Sequence, residues 1–188
     1  MKSLPWPVAS VMSAALLSPL AFPRQQEKAT AAESGASPEM NRLAKALAGD
    51  WNTEERMERS SFFPNGGSRH GHTHVRLAAG GTTLIDEVHS DGSAGKLDGL
   101  VVIWWDNDAK LYYFFTCFNH DAPCHVRGSA HWEGDIFVND YEENVDGKKV
   151  KFRDSFVQIT AASHSLLAAI DNGDGTMKTL ITTRSTRR

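Results

Sequence analysis

From Trp51 to the chain end, apolar and polar positions alternate in short runs that turn residues interrupt. Trp51–Arg59, Arg69–Leu77 and Thr82–His89 read as strands, parted by Phe63-Pro64-Asn65-Gly66-Gly67 and Gly80-Gly81. After Asp91-Gly92, Leu97–Trp105 and Lys110–Phe118 form a hairpin around Asp106-Asn107-Asp108. Cys124–Trp132 and Ile136–Glu143 flank Glu133-Gly134-Asp135, and Lys149–Ile159 follows Asp146-Gly147. Ser163–Ile170 and Met177–Arg184 close the set across Asp171-Asn172-Gly173-Asp174-Gly175. Each break carries the Gly, Asn or Asp that a tight turn with positive φ demands. Strands at this spacing belong to antiparallel sandwiches and barrels. Because every connection is short, the pattern predicts a meander, and a meander of this size loses its edges only by closing. The predicted fold is all-β: an antiparallel up-and-down closed barrel of about ten strands.

A different period precedes the strands. Met40, Leu43, Ala44 and Leu47 fall at i, i+3, i+4 and i+7, one face of a short helix. Ser37 can cap it, Pro38 suits its first position and Glu39 complements its dipole. Gly49 is expected to end it, and the helix should plug one end of the barrel.

The first residues follow neither period. Lys2 precedes a short apolar stretch, Val11 to Leu17 and on to Phe22, interrupted by Pro19. It is too short to span a bilayer as a helix and fits the apolar region of a secretory signal. Cleavage falls at Ala29-Thr30-Ala31 or earlier at Leu20-Ala21. The expected organisation is a signal peptide over 1–31, a linker over 32–37 and a barrel domain over 38–188. The chain is expected to be exported, periplasmic or secreted, with no stable membrane anchor. At 188 residues with a net charge of −3, the chain has scattered basic residues and no nucleic-acid footprint.

His70-Gly71-His72-Thr73-His74 is the first candidate for chemistry. Residues two apart share a strand face, so the imidazoles and Arg76 line up. His72 and His74, with His89 of the next strand, could begin a zinc or haem site. The opposite face, Thr73, Val75 and Leu77, is the better core face, which makes a solvated histidine row the plainer reading. Cys117 and Cys124 flank a short loop and, in an exported chain, are expected to pair as a disulfide. The Asp171–Gly175 run lacks the distal bidentate Glu of a calcium loop and reads as a turn. No nucleophile elbow, P-loop or dinucleotide glycine pattern is present, and no catalytic residue is assigned. The carboxylates Glu54, Glu55, Glu142, Glu143 and Asp154 fall into no paired pattern.

The hairpin from Leu100 to Phe118 is apolar on both faces, so something should cover its outer surface. A homodimer through these strands is the expectation. Several motifs now fall in order: Leu47-Ala48-Gly49-Asp50-Trp51, Val75-Arg76-Leu77 before Gly80-Gly81, Gly99 to Trp104 and Asp106, Trp132-Glu133-Gly134, and Thr182-Thr183-Arg184. In that order, over about residues 38–186, the chain resembles the DUF1579 group of calycin-like proteins, a family of uncharacterised function related in outline to lipocalins and haem-binding nitrobindins. The resemblance implies that Trp51 packs at the closed end with Arg184 over its ring. The expected function is a non-catalytic binding protein holding a small apolar or amphipathic ligand, with no cofactor. Trp104, Tyr113, Phe115, Phe137 and Phe156 would line its interior, and Arg76 or Arg153 would meet a polar head. The alternative is a zinc or haem barrel built on the histidine row, with redox or hydrolytic activity.

Overall fold

The structure is a computed structural model that describes residues 35–119 and 124–188. The expected signal peptide, residues 32–34 of the linker and the loop residues 120–123 lie outside the described residues. One helix, α1 (Pro38–Leu47), precedes ten strands. These are β1 (Gly49–Met57), β2 (Gly67–Ala78), β3 (Thr83–Gly92), β4 (Leu97–Asp106), β5 (Leu111–Phe118), β6 (His125–Glu133), β7 (Ile136–Val145), β8 (Lys148–Val157), β9 (Ser163–Asp171) and β10 (Met177–Arg187). Each strand pairs antiparallel with its neighbours in sequence, and β1 pairs with β10 to close the ring. The architecture is thus the up-and-down closed barrel that the alternation and the short turns dictate. Among the described residues no helix is long and apolar enough to cross a membrane.

The helix forms where its cap and apolar stripe coincide. The Ser37 hydroxyl accepts from the Met40 amide at 3.1 Å, and Met40, Leu43 and Leu47 are buried. Gly49 stands just past the C-cap Ala48, where a glycine stop sits, but not in the left-handed helical conformation. Ala48 is already extended at φ −66°, ψ 138°, so the chain runs straight into β1 and Gly49 is a strand residue at φ 146°. That φ is one that L side chains rarely adopt, so a glycine fits here, and a Cβ would also displace the Arg187 guanidinium.

The helix covers one barrel end through polar stitches around an aromatic cluster. Trp51, fully buried, donates its indole N–H to the Leu47 carbonyl at 2.9 Å. The Tyr112 hydroxyl donates to the Glu39 carbonyl at 2.9 Å and accepts from the Trp132 indole at 3.3 Å. Arg42 lies 4.1 Å above the Trp132 ring. Phe137, with no exposed surface, sits edge-on to Tyr112 at 5.1 Å between centroids.

The arginine over Trp51 is Arg187, at 4.3 Å, and not Arg184. The register pairs Trp51 with Arg187 and Glu54 with Arg184. The two arginines are three positions apart, so strand alternation puts Arg184 on the exposed outer face. Arg187 also donates to the Ala161 carbonyl at 2.6 Å. Arg187→Ala is expected to cost about 1–2 kcal/mol and Arg184→Ala no more than about 0.5 kcal/mol, as read by urea denaturation. Equal costs would refute the assignment.

At the opposite end Cys117 and Cys124 form a disulfide that ties the end of β5 to the start of β6. The closed loop is short, so replacing both by serine is expected to cost about 2–3 kcal/mol on the chain-entropy account. A reduced and an oxidised sample with the same denaturation midpoint would contradict this.

Candidate functional site

Alternation turns one face of every strand inward, and these faces enclose a cavity of about 160 Å³. That is close to the roughly 150 Å³ that accommodates benzene in an engineered apolar cavity. The cavity has two unlike walls. From β2 to β5 it is mostly apolar, with Val75, Leu84, Val88, Val101, Ile103 and Phe114 around the polar Thr73, Asp86 and Thr116. From β8 to β10 it is mixed, with Asp154, Phe156, His164, Thr183 and Ser185.

Several ionisable groups inside the barrel define its electrostatics. Glu55 of β1 and Arg69 of β2 are directly paired in register, and Arg69 Nη2 lies 2.7 Å from Glu55 Oε2. Asp154 sits near Arg127, with the Tyr141 hydroxyl 3.5 Å from its Oδ1. Burial pushes the Asp154 carboxyl up to about 7, against the pull of Arg127, Tyr141 and Asn139. Burial likewise raises the Tyr141 phenol.

Asp86 stands in the apolar wall, between Val75 and Val101 in the register. Its Oδ1 is closed off from solvent and has no hydrogen-bond partner. Burial holds its carboxyl at about 7, with the Thr73 hydroxyl opposing and the Glu87 charge assisting. His164, buried and edge-on to Trp51 at 4.6 Å, is pushed down to about 4 by burial and by Arg187. It is therefore a neutral imidazole at neutral pH, with an unpartnered Nδ1. Thr53 adds an unpartnered hydroxyl.

The structure brings together only part of the ligand set expected from the sequence. Phe156 lines the cavity, and Phe137 belongs to the aromatic cluster beneath the helix. Trp104, Tyr113 and Phe115 alternate with the inward Ile103 and Phe114 and so lie on the outer face, where Trp104 stacks on Tyr113 at 5.7 Å. This is a correction with a simple cause. Both faces of that hairpin are apolar, so periodicity could not choose between them, and pairing to β3 decides. The same outer aromatics occupy the surface through which a homodimer was expected; sedimentation velocity at rising concentration reads it. Arg76 and Arg153 are outward too, paired with Glu87 at 3.4 Å and with Asp140 at 2.7 Å.

The histidine row is also on the outer face, opposite the inward Thr73 and Val75. His72 and His89 are register partners with rings 5.3 Å apart, while His74 is held by Asp50 at 2.6 Å and His89 by Asp98 at 3.0 Å. Among the described residues no group of three His, Cys, Asp or Glu side chains is arranged to hold a metal ion.

Sequence reasoning misses Asp86, Arg127, Arg69, His164 and Thr53, and it shows Glu55 and Asp154 only as unpaired carboxylates. A signal existed. Asp86 sits two residues from both Leu84 and Val88, and Asp154 two from both Phe152 and Phe156. An acid on an otherwise apolar alternate row is an acid facing a core.

The β6–β7 ladder pairs Ser129–Glu133 with Ile136–Asp140. Arg127, just before this ladder on β6, lines both the cavity and an outer groove beside Val126 and Tyr141. It donates to the Thr116 hydroxyl at 3.1 Å and lies 3.3 Å from Glu143.

No family model and no curated protein matches the chain. Among solved structures it is similar to a redesigned β-barrel, mFAP1, bound to DFHBI, with 12% identity and a TM-score of 0.42 over 78% of this chain and 99% of that one.

Proposed function

We propose that this chain is an exported, non-catalytic binding protein that holds one small, largely apolar molecule inside its barrel. The cavity of about 160 Å³ carries the reading, because its apolar wall faces polar atoms that have no protein partner. The apolar N-terminal stretch and the disulfide support export. The order of the motifs given above supports a place beside the DUF1579 group.

The test is ligand-induced stabilisation. Toluene, matched to the cavity, is expected to raise the melting midpoint in proportion to the logarithm of its concentration. Val101→Phe, which fills the space, should abolish that rise while keeping the fold. A midpoint indifferent to toluene and indole, with native and denatured masses equal, would defeat the reading.

A further inference from the structure

We propose that the ligand class of this cavity is a small primary amine with an apolar body, its ammonium group paired with the Asp86 carboxylate. This rests on the binding function proposed above and specifies what is bound.

The interior arginines are already engaged. Arg69 is engaged by Glu55, and Arg127 by Glu143 and the Thr116 hydroxyl beside Asp154. Asp86 has no such partner: among the described residues no Lys or Arg forms an ion pair with it, and its Oδ1 makes no hydrogen bond. A carboxylate stranded in an apolar wall is costly unless a cation or donor meets it. β3 and β8 lie on opposite sides of the ten-strand ring, so Asp154 and its arginine face Asp86 from across the barrel. The unengaged atom on this wall, Asp86 Oδ1, can accept a hydrogen bond. An ammonium supplies three donors and one positive charge, while Val75, Val88 and Val101 receive the hydrocarbon.

The groups facing Asp86 set the pH behaviour. Inside, the Thr73 hydroxyl of β2 bonds the carboxyl, and from the outer face Glu87 of β3 and His74 of β2 act on it through their charge; β4 presents Val101 and no titratable side chain at this level. On the same side β1 and β2 carry the Glu55–Arg69 pair, and across the interior stand Arg127, Glu143, Tyr141, Asp154 and His164. Burial keeps the Asp86 proton on until about pH 7. An incoming ammonium must therefore displace that proton, and amine affinity rises with pH until the carboxyl is ionised.

Isothermal titration of benzylamine and of toluene, with the wild type and Asp86→Asn, tests this. Benzylamine is expected to bind at least about tenfold more weakly near pH 5.5 than near pH 8, and at least about tenfold more weakly to Asp86→Asn near pH 8. Toluene should be indifferent to both changes. Should Asp86→Asn fail to fold, titrating the wild type near pH 6 in two buffers of different ionisation enthalpy reads the proton directly; about one is released per benzylamine bound. Toluene binding without benzylamine binding, or benzylamine binding that releases no proton and ignores pH, overturns the amine inference and leaves the cavity function standing. Binding of neither probe overturns both.

Discussion

Replacing Glu55 with alanine is expected to destabilise the fold by about 3–5 kcal/mol, a large share of the roughly 5–15 kcal/mol that holds a domain together. The side chains of Glu55 and Arg69 keep only 8% and 10% of their surface. Arg69 Nε and Nη2 approach the same oxygen, Oε2, at 2.8 and 2.7 Å, and the Ser90 hydroxyl reaches Oε1 at 3.4 Å. The pair joins β1 to β2 at facing positions inside the barrel. Removing the carboxylate leaves the guanidinium desolvated with nothing to neutralise it, and that penalty dominates the loss. The double variant Glu55→Leu, Arg69→Met removes both charges and keeps most of the volume. It should recover nearly all the stability, so the two substitutions are strongly non-additive. Arg56→Ala, which breaks the exposed Arg56–Glu58 contact at 3.3 Å, should change stability by no more than about 0.5 kcal/mol. Urea denaturation followed by tryptophan fluorescence measures all three; a Glu55→Ala cost equal to that of Arg56→Ala would refute the account.

The same buried pair shows where sequence reading stops. Alternation and turn chemistry are local, and from them the ten strands, their order and the helix under Trp51 were legible to within a few residues. Which face of a strand points inward is legible only when one face is polar. In β2 the row Thr73, Val75 and Leu77 contrasts with His72, His74 and Arg76, and the inward face was identified correctly. In β4 and β5 no contrast exists, and Trp104, Tyr113 and Phe115 were assigned to the interior although they lie outside. Partnerships across strands are less legible still. Glu55 and Arg69 are 14 positions apart and meet because the β1–β2 register aligns them. Arg187 displaced Arg184 over Trp51 for the same reason, since a three-residue difference reverses the face. A register is set by closing the whole ring, which no single segment encodes.

Stability is expected to fall as pH rises from about 4 to about 7. Asp86 and Asp154 are the cause: each ionises near 3.8 in the unfolded chain and near 7 in the barrel. Between those values the native state holds two protons that the unfolded state has lost, so raising pH favours unfolding. Each group contributes about 1.4 kcal/mol per pH unit over that window; the contribution is complete below 3.8 and gone above about 7. His164 acts in the opposite sense. It titrates near 6.5 when unfolded and near 4 when folded, so between those values the unfolded chain binds the extra proton and stability grows with pH. Two carboxyls outweigh one imidazole. The net slope is a loss of about 1.4 kcal/mol per unit up to pH 6.5 and about twice that just above it, on the order of 3–5 kcal/mol in all. Below pH 4 the surface carboxylates Asp98 and Asp174, lowered by hydrogen bonds, begin to protonate and reverse the trend. Asp86→Asn and Asp154→Asn should each flatten the profile, and the double variant should invert it between pH 4 and 6.5, leaving the rise that His164 alone produces. Chemical denaturation across the pH range measures the slope, and a wild-type profile that climbs from pH 4 to 7 would refute the ionisation of both buried carboxyls. An amine bound at Asp86 would change the profile further: by fixing the ionised form it should stabilise the barrel most above pH 7, where the empty cavity is weakest.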